Sequence, residues 1–195
     1  LPVQREEEYF RKNLGDKATR TKAFVRSEEQ TRPYRVGTYY FKQGSGLYVI
    51  LGYEKEEDLR ETEDCLDALA LSGVGGKRSA GLGRYVLKAG VMPENLKRRL
   101  SCDCASVSMT LSVSLPRDEE LESALERANF LLLKRSGFVL SSTYAREQQR
   151  KRDLYVMQSG SCFRHRFEGD VYDVSAGGAH PVYRYAKPLF MEVIS

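Results

Sequence analysis

The stretch that decides the fold reads Gly73-Val-Gly-Gly-Lys-Arg-Ser-Ala-Gly-Leu-Gly83. It holds five glycines in eleven residues around the polar centre Lys77-Arg-Ser79. Glycine allows positive φ angles and lets backbone N–H groups approach a ligand closely. Successive N–H groups in such a turn form a concave site for anions. The stretch therefore predicts a phosphate-binding turn. The alternative is a glycine-rich connection whose Lys and Arg are merely solvated.

The sequence on either side places this glycine-rich loop, residues 73–83, between a helix and a strand. Leucines and small residues recur at helical spacing over Glu56–Leu71, and acidic residues cluster in its first turn. Ser72-Gly73 ends the helix, since glycine is the usual C-terminal stop. Arg84–Leu87 follows as a short predicted strand.

This order argues against the common nucleotide motifs. A P-loop and a dinucleotide fingerprint both lie between a strand and a following helix, the reverse of the order here. They would also need glycine at position 71 or 78, where the chain has Leu71 and Arg78. Among phosphate ligands, a polynucleotide backbone is the better match.

The first half of the chain predicts an arm followed by a hairpin. Residues 1–35 are polar and basic with weak periodicity, which indicates a long loop or arm. Val36–Phe41 and Gly46–Tyr53 are rich in β-branched and aromatic residues and flank a turn-forming segment, so they predict a hairpin. Residues 88–107 indicate an irregular junction.

The second half predicts a strand, a helix and further strands. Met109–Leu115 alternates apolar and polar residues, and its apolar members are expected on the buried face. Asp118 is expected to cap the helix that follows. The later strands are predicted at Leu131–Ser141, Leu154–Gln158, Cys162–Phe167, Gly169–Val174 and Val182–Ile194.

This order of elements predicts an α+β protein of two tandem ferredoxin-like (RRM-like) domains. The first covers residues 1–100 and carries the basic arm and the glycine-rich loop. The second covers residues 101–195. The first half offers only a hairpin, a helix and a strand, so we expect that domain to be incomplete at its N-terminus.

Charge and composition favour a polyanionic partner only mildly, because the net charge of the 195 residues is +4. The distribution of charge along the chain is more informative than the net charge. Residues 70–100 carry seven Lys or Arg and one acid, whereas residues 54–67 carry eight acids and two bases. Such neighbouring charges orient a polyanion on one face. No apolar run is long enough to span a bilayer and no leader pattern is present, so we expect a cytoplasmic protein without membrane contact.

The four cysteines favour a reducing compartment over a disulfide framework. Cys102-Asp-Cys104 could bind zinc, but the sequence has no second ligand pair at the required spacing. We therefore predict no metal and no cofactor. We also predict no catalytic residue: His165 and His180 are isolated, and the sequence shows no partner near either for general acid–base work.

Several segments resemble a known family. The glycine-rich loop resembles the signature loop of the CRISPR repeat-associated (RAMP) superfamily. Three later segments, in the same order, resemble the fourth subunit of the type III-A CRISPR (Csm) effector complex; that family has glycine where this chain has Ala186. They are Lys134-Arg-Ser-Gly-Phe-Val139, Arg152-Asp-Leu-Tyr-Val-Met157 with Gly160-Ser161, and His180-Pro-Val-Tyr-Arg-Tyr-Ala-Lys-Pro-Leu-Phe190.

The resemblance implies a non-catalytic subunit that binds the 5′ tag of the CRISPR RNA. It implies contacts with the large polymerase–nuclease subunit and with the repeated backbone subunit. The alternative within the same superfamily is an endoribonuclease that processes CRISPR RNA, and a further alternative is a protein scaffold with an incidental basic surface.

We predict three groups of RNA-binding residues. Cations beside glycine N–H groups suit phosphates, and aromatic residues interleaved with cations suit single-stranded bases, although alternation sets Arg184 on the face opposite the tyrosines. For each group, core packing or simple solvation is the alternative. The residues are Gly73, Gly75, Gly76, Lys77, Arg78, Ser79, Gly81, Gly83 and Arg84 in the loop; Arg20, Lys22, Arg26, Arg32 and Arg35 in the arm; and His180, Tyr183, Arg184, Tyr185 and Lys187 near the C-terminus.

Overall fold

The computed structural model describes residues 2–24, 32–102 and 106–193. The chain divides into two compact units, Leu1–Lys88 and Ala89–Ser195, called unit 1 and unit 2 below. Short helices alternate with small antiparallel sheets, which confirms the predicted α+β class. The domain limits 1–100 and 101–195 stay a prediction.

Within its described residues, unit 1 contains two helices and a hairpin: α1 (Pro2–Leu14), β1 (Gly15–Phe24), β2 (Arg32–Phe41) and α2 (Glu56–Ser72). The prediction of a loop or arm over residues 1–35 is therefore wrong for residues 2–24 and 32–35, and the rest of it lies outside the described residues. An ion pair between Arg11 and Glu7, one turn apart at 2.6 Å, favours α1. The threonines of β1 suit a strand once β2 supplies its hydrogen bonds, a pairing that local sequence does not reveal.

The predicted hairpin of Val36–Phe41 with Gly46–Tyr53 is also wrong. The strand β2 pairs with β1 in a register that runs from Gly15 opposite Phe41 to Phe24 opposite Arg32. Gly15 permits this pairing, because a Cβ there would lie 2.2 Å from the Tyr40 carbonyl oxygen. Residues 46–53 and 84–87 form no strand. Aromatic and β-branched residues favour extended backbone, but they do not specify a pairing partner.

The helix α2 confirms the prediction closely. It begins with Glu56, Glu57 and Asp58, whose charges suit the helix dipole, and ends at Gly73 with φ 83°. The Gly73 N–H donates to the Leu69 carbonyl at 2.7 Å. None of the α2 side chains is buried. Among the described residues of unit 1, only Gly15 and Gly73 are buried, so no apolar side chain forms a core there.

Unit 2 contains two helices and seven strands among its described residues. The helices are α3 (Glu94–Ser101) and α4 (Leu121–Leu125). The strands are β3 (Ser108–Thr110), β4 (Leu132–Arg135), β5 (Leu154–Met157), β6 (Cys162–Phe163), β7 (Val171–Asp173), β8 (Tyr183–Tyr185) and β9 (Phe190–Glu192). They pair antiparallel in the orders β6-β3-β9, β4-β5 and β7-β8.

Two predictions for unit 2 need correction. The segment 88–107 is not wholly irregular, because it includes α3, whose Arg99 guanidinium donates to the Glu192 carbonyl at 2.8 and 3.2 Å. The strand from Met109 ends at Thr110, and its faces are reversed: Thr110 and Ser114 are fully buried, whereas the apolar residues are half-buried. Backbone hydrogen bonds from Ser114 to Met157 set this orientation.

The core of unit 2 is a cluster of three aromatic rings. Phe163, Phe167 and Phe190 meet edge to face with centroids 5.2, 5.3 and 6.1 Å apart. This is the geometry that the ring quadrupoles prefer. Ala124 of α4 and Met157 of β5 complete the cluster. The cluster therefore joins α4 to the β6-β3-β9 sheet and to the β4-β5 sheet.

A carboxylate fixes the start of the short helical turn Asp118–Glu120. We expected Asp118 to be the cap, but Arg117 occupies that position and its N–H donates to Glu120 at 2.8 Å. The Glu120 carboxylate also accepts from the N–H groups of Glu168 and Gly169 at 2.8 and 3.1 Å. Burial acts to raise the Glu120 pKa, but these three hydrogen bonds outweigh it and leave the pKa below its usual value.

This arrangement makes unit 2 sensitive to acid. A carboxyl group whose pKa is lower in the folded state stabilises the fold above its unfolded pKa, and that contribution is lost as the pH falls through the folded pKa. We expect Glu120→Gln to lower stability at pH 7 by about 1.5–3 kcal/mol, typical of hydrogen bonds to a charged group. Between pH 7 and pH 3, the melting temperature of this variant should fall less than that of the unaltered chain. If the melting temperatures of the two proteins fell equally with pH, this role of Glu120 would be contradicted.

Candidate nucleic-acid interface

The glycine-rich loop is closed at its base by close backbone contacts. The Val74 N–H donates to the Gly83 carbonyl at 2.9 Å. A Cβ on Gly83 would lie 1.9 Å from the Val74 carbonyl oxygen, and one on Gly73 would lie 2.7 Å from that of Leu82. Because these distances exclude any side chain, Gly73 and Gly83 are required by the fold of the loop itself.

Inside the loop, the backbone turns through left-handed residues on either side of a short 3-10 turn. Lys77 has φ 58° and Gly81 has φ 77°, and they flank the turn Arg78–Ala80. Gly75 also has positive φ, at 86°. Gly76 differs, because its φ is ordinary for any residue and open space surrounds it. The fold does not require glycine there, and a missing side chain suits close approach of a ligand.

The loop brings its lysine onto one face of the hairpin. The Lys77 ammonium lies 3.5 Å from the Tyr34 hydroxyl and 4.8 Å from the centre of its ring. Tyr34 stands opposite Lys22, and the next pair on that face places Arg20 opposite Val36. Three predicted cations, Lys77, Lys22 and Arg20, therefore share one face with Tyr34. We call this the loop–hairpin face.

Tyr34 was not among the residues predicted from the sequence. The sequence did contain a pattern that could have identified Tyr34, because this aromatic residue lies between Arg32 and Arg35. Aromatic residues alternate with cations in the same way near the C-terminus. The loop's contact with Tyr34 depends on the long-range approach of residue 77 to residue 34, which no local pattern gives. A second aromatic contact places the Arg20 guanidinium 5.2 Å from the Tyr40 ring centre.

The remaining predicted residues of unit 1 are placed differently. Arg35 alternates onto the hairpin face opposite Tyr34. Arg32 pairs with Phe24 at the end of the hairpin, and Arg26 lies outside the described residues. Arg78, Ser79 and Arg84 are exposed on or just after the loop. The structure thus brings together three of the predicted cations and separates Arg35 from them.

In unit 2, two tyrosines project from β8. Tyr183 and Tyr185 are 62% and 65% exposed on one face of the strand, which is the arrangement expected for stacking of bases. Arg184 lies on the other face and donates to the Ser136 carbonyl at 2.9 Å. Lys187 is exposed beyond the strand. Arg184 therefore packs against its own unit and does not share the tyrosine surface.

Each histidine has a neighbour that the sequence did not show. His180 places Nε2 2.9 Å from the Ser141 hydroxyl and Nδ1 2.9 Å from the Pro181 carbonyl. Its ring meets buried Tyr144 edge to face, so His180 helps to order the residues before β8. The His165 Nε2 lies 3.4 Å from a carboxylate oxygen of Glu126.

The described residues offer neither a metal centre nor a membrane span. No three His, Cys, Asp or Glu side chains within residues 2–24, 32–102 and 106–193 come together as metal ligands. Cys104 falls outside these ranges, so the Cys102–Cys104 alternative is not described. In the same ranges, no helix is long and apolar enough to cross a bilayer.

Comparison with known proteins agrees with the resemblance seen in the sequence. Residues 104–193 match the family model of the CRISPR Csm4 C-terminal domain. The chain is 43% identical over 179 residues to the CRISPR system Cms protein Csm4 of Mycobacterium tuberculosis, covering 91% of this chain and 57% of that protein. It is 41% identical over 161 residues to the Streptococcus thermophilus protein of the same name, covering 82% and 52%.

A solved structure shows the same fold. The chain matches a component of the Csm3-Csm4 subcomplex in the type III-A CRISPR-Cas interference complex with a TM-score of 0.58 and 17% identity. The match covers 92% of this chain and 53% of that one. The chain thus spans about half the length of the relatives that it matches. The fold and these matches define a CRISPR system protein. The chain belongs to the Csm4 family.

Proposed function

We propose that the chain is a non-catalytic RNA-binding subunit of a type III-A CRISPR ribonucleoprotein in antiviral defence. In this proposal it binds the 5′ tag of the CRISPR RNA and caps the complex beside the large polymerase–nuclease subunit and the repeated backbone subunit. The chain acts through two tandem ferredoxin-like (RRM-like) domains, residues 1–100 and residues 101–195. Membership of the Csm4 family supports the assignment to such a complex.

The observation that carries the RNA-binding role is the loop–hairpin face. Lys77, Lys22 and Arg20 bring three positive charges to one surface, and Tyr34 adds an aromatic ring among them. Phosphates are bound by cations and backbone N–H groups, whereas single-stranded bases stack on aromatic rings. We propose that Arg78, Ser79 and Arg84 extend this phosphate surface, with Gly73, Gly75, Gly76, Gly81 and Gly83 as its backbone. Arg32 and Arg35 are proposed as peripheral contacts.

The tyrosines of β8 are the proposed base-contacting residues of unit 2. Exposure of about two-thirds of each side chain leaves Tyr183 and Tyr185 available for stacking. Each stacked base contributes about 1–3 kcal/mol to single-strand binding. Lys187 is proposed to contact phosphate beside them. His180 and Arg184 take supporting positions, because the His180 ring bonds to Ser141 and Pro181 and one Arg184 Nη donates to the Ser136 carbonyl.

One observation favours the endoribonuclease alternative. The contact between His165 and Glu126 is the kind of pair that orients a general base. Both side chains are at least half exposed, however, and the hydrogen bonds among the described residues place no nucleophile or oxyanion donor beside them. The non-catalytic role is therefore the stronger proposal.

The test is crosslinking of the purified complex to its own RNA. CRISPR RNA carrying 4-thiouridine within the 5′ tag should crosslink to residues 73–84, and RNA labelled in the spacer should not. The RNA should remain intact during incubation without metal. Crosslinks confined to the spacer would contradict tag binding. Specific cleavage that is lost in His165→Ala would favour the endoribonuclease, and absence of any crosslink to this chain would favour a protein scaffold.

A further inference from the structure

Arg127 occupies a turn position that favours a different residue. The Ala128 N–H donates to the Leu125 carbonyl at 3.2 Å, which closes a four-residue turn after α4. Glu126 has φ −60° and ψ 113°, and Arg127 has φ 51°. These angles are close to those of a type II turn, whose third residue has positive φ and is preferably glycine or asparagine. An arginine there is strained.

The same strain occurs at one other place in the described ranges. Lys77 and Arg127 are the two residues other than glycine with positive φ among residues 2–24, 32–102 and 106–193. Both are cations. Lys77 is the central residue of the loop–hairpin face. Backbone strain of this kind persists where the surroundings enforce it and is concentrated at functional sites, so it supports a functional hypothesis when other observations agree.

The fold sets a second exposed arginine beside Arg127. Asn129 and Cys162 exchange two backbone hydrogen bonds, at 2.8 and 2.9 Å, in an antiparallel bridge. Arg127 precedes this bridge by two residues, in a turn, and Arg164 follows it by two residues, in a bend. The contact between His165 and Glu126, one residue further, shows that the two segments stay side by side.

Nothing within the described part of the chain neutralises this pair. Arg127 and Arg164 are both exposed, and neither has an ion pair or a side-chain hydrogen bond to another described residue. The nearby Glu126 carboxylate contacts His165. Like charges on neighbouring segments repel each other, so the arrangement costs stability unless an anion lies between them. Arg166 differs, because it donates to the Ser108 hydroxyl and to the Cys102 carbonyl.

We infer that Arg127 and Arg164 form a second phosphate-binding site for RNA, located in unit 2 and separate from the tyrosines of β8. Guanidinium groups bind phosphate oxygens through paired N–H donors, and two adjacent guanidinium groups suit a phosphodiester backbone. This inference rests on the proposed function, which supplies RNA as the polyanion. An acidic protein surface is the competing ligand and is an outcome of the test below.

The test uses Arg127→Gly in the full chain, because this change should affect folding and binding in opposite directions. Glycine relieves the strained turn, so the melting temperature should stay the same or rise. Affinity for a single-stranded CRISPR RNA probe should fall about three- to tenfold, and the salt slope of binding should decrease by about 0.7 for each phosphate that the variant no longer neutralises. Arg146→Gly, which removes another exposed arginine of unit 2, is the matched control and should bind as the unaltered chain does.

The outcomes separate this inference from the proposed function. Lys77→Ala is measured alongside, because it reports on the loop–hairpin face. If Lys77→Ala weakens binding while Arg127→Gly and Arg164→Ala leave affinity and salt slope unchanged, the second site is wrong and the proposed function stands. In that case, weaker capture of an acidic peptide probe by Arg127→Gly would assign the pair to a protein partner. If the unaltered chain does not bind the RNA probe, both the inference and the proposed function fail.

Discussion

Substitution of Lys77 and Arg78 by alanine should weaken CRISPR RNA binding about 10- to 100-fold at 0.1 M salt, or about 1.4–2.8 kcal/mol. Lys77 lies over Tyr34 on the face that holds Lys22 and Arg20, so its substitution removes the central charge of that surface. Arg78 begins the exposed 3-10 turn next to it. Because the two cations would each displace counterions from RNA, the variant should also show a flatter salt dependence.

The control for this variant removes equal charge elsewhere in unit 1. Lys17 is exposed on the opposite face of the hairpin, and Lys55 is exposed before α2. The double variant Lys17→Ala, Lys55→Ala should bind within about twofold of the unaltered chain, since unpaired surface charges act weakly through screening salt. Fluorescence anisotropy across a salt series measures both variants. Equal reductions in affinity for the two double variants would indicate a general charge effect and contradict the loop assignment.

Phe163→Ala should destabilise unit 2 by about 3–5 kcal/mol, which is a large part of the stability of a typical domain. Phe163 is 1% exposed and contacts both Phe167 and Phe190 edge to face. Truncation removes its apolar surface and leaves a cavity, because Phe167 is held by the segment between β6 and β7 and Phe190 is held by β9. The substitution also weakens the packing between β6 and β9, which lie on either side of β3.

A second phenylalanine provides the matched control. Phe138 is 49% exposed, so Phe138→Ala makes the same chemical change at a site with much less buried area than that of Phe163. We expect it to cost about 1 kcal/mol or less. Urea denaturation followed by circular dichroism measures both free energies of unfolding. A cost below about 1.5 kcal/mol for Phe163→Ala would show that the aromatic cluster does not form the core.

The parts of the fold that follow from local chemistry could be predicted from the sequence. The helix α2 was predicted within one residue because its acids, its leucine spacing and Gly73 are all local signals. Pairing could not be predicted in the same way. The strands β1 and β2 are separated in sequence by residues 25–31, so their pairing is not a local signal. Arg20 and Lys22 also interrupt any alternation of apolar and polar residues along β1. The reversed burial of Thr110 and Ser114 depends on Met157 and Ser161, which come much later in the chain.

In the candidate site, too, local features could be predicted from the sequence and long-range contacts could not. The glycine-rich loop could be predicted as a tight turn from composition alone, since four of its five glycines adopt positive φ angles. The residues that surround the loop could not be predicted, because Tyr34 contacts Lys77 only after the loop has folded onto the hairpin. Arg127 carried no signal at all in the sequence. Only its backbone angle, together with the bridge between Asn129 and Cys162, distinguishes it from other surface arginines.

The closed base of the glycine-rich loop has a consequence for the entropy of binding. The hydrogen bond from Val74 to Gly83 makes residues 74–83 resemble a small cyclic peptide anchored to the end of α2. A free glycine-rich segment would lose much backbone freedom on gripping a ligand, about 1–2 kcal/mol for each residue ordered. In this chain, folding has already imposed much of that ordering. In the proposed function, the loop would act as a preorganised receptor, and conformational entropy would reduce its affinity for phosphate less than its glycine content suggests.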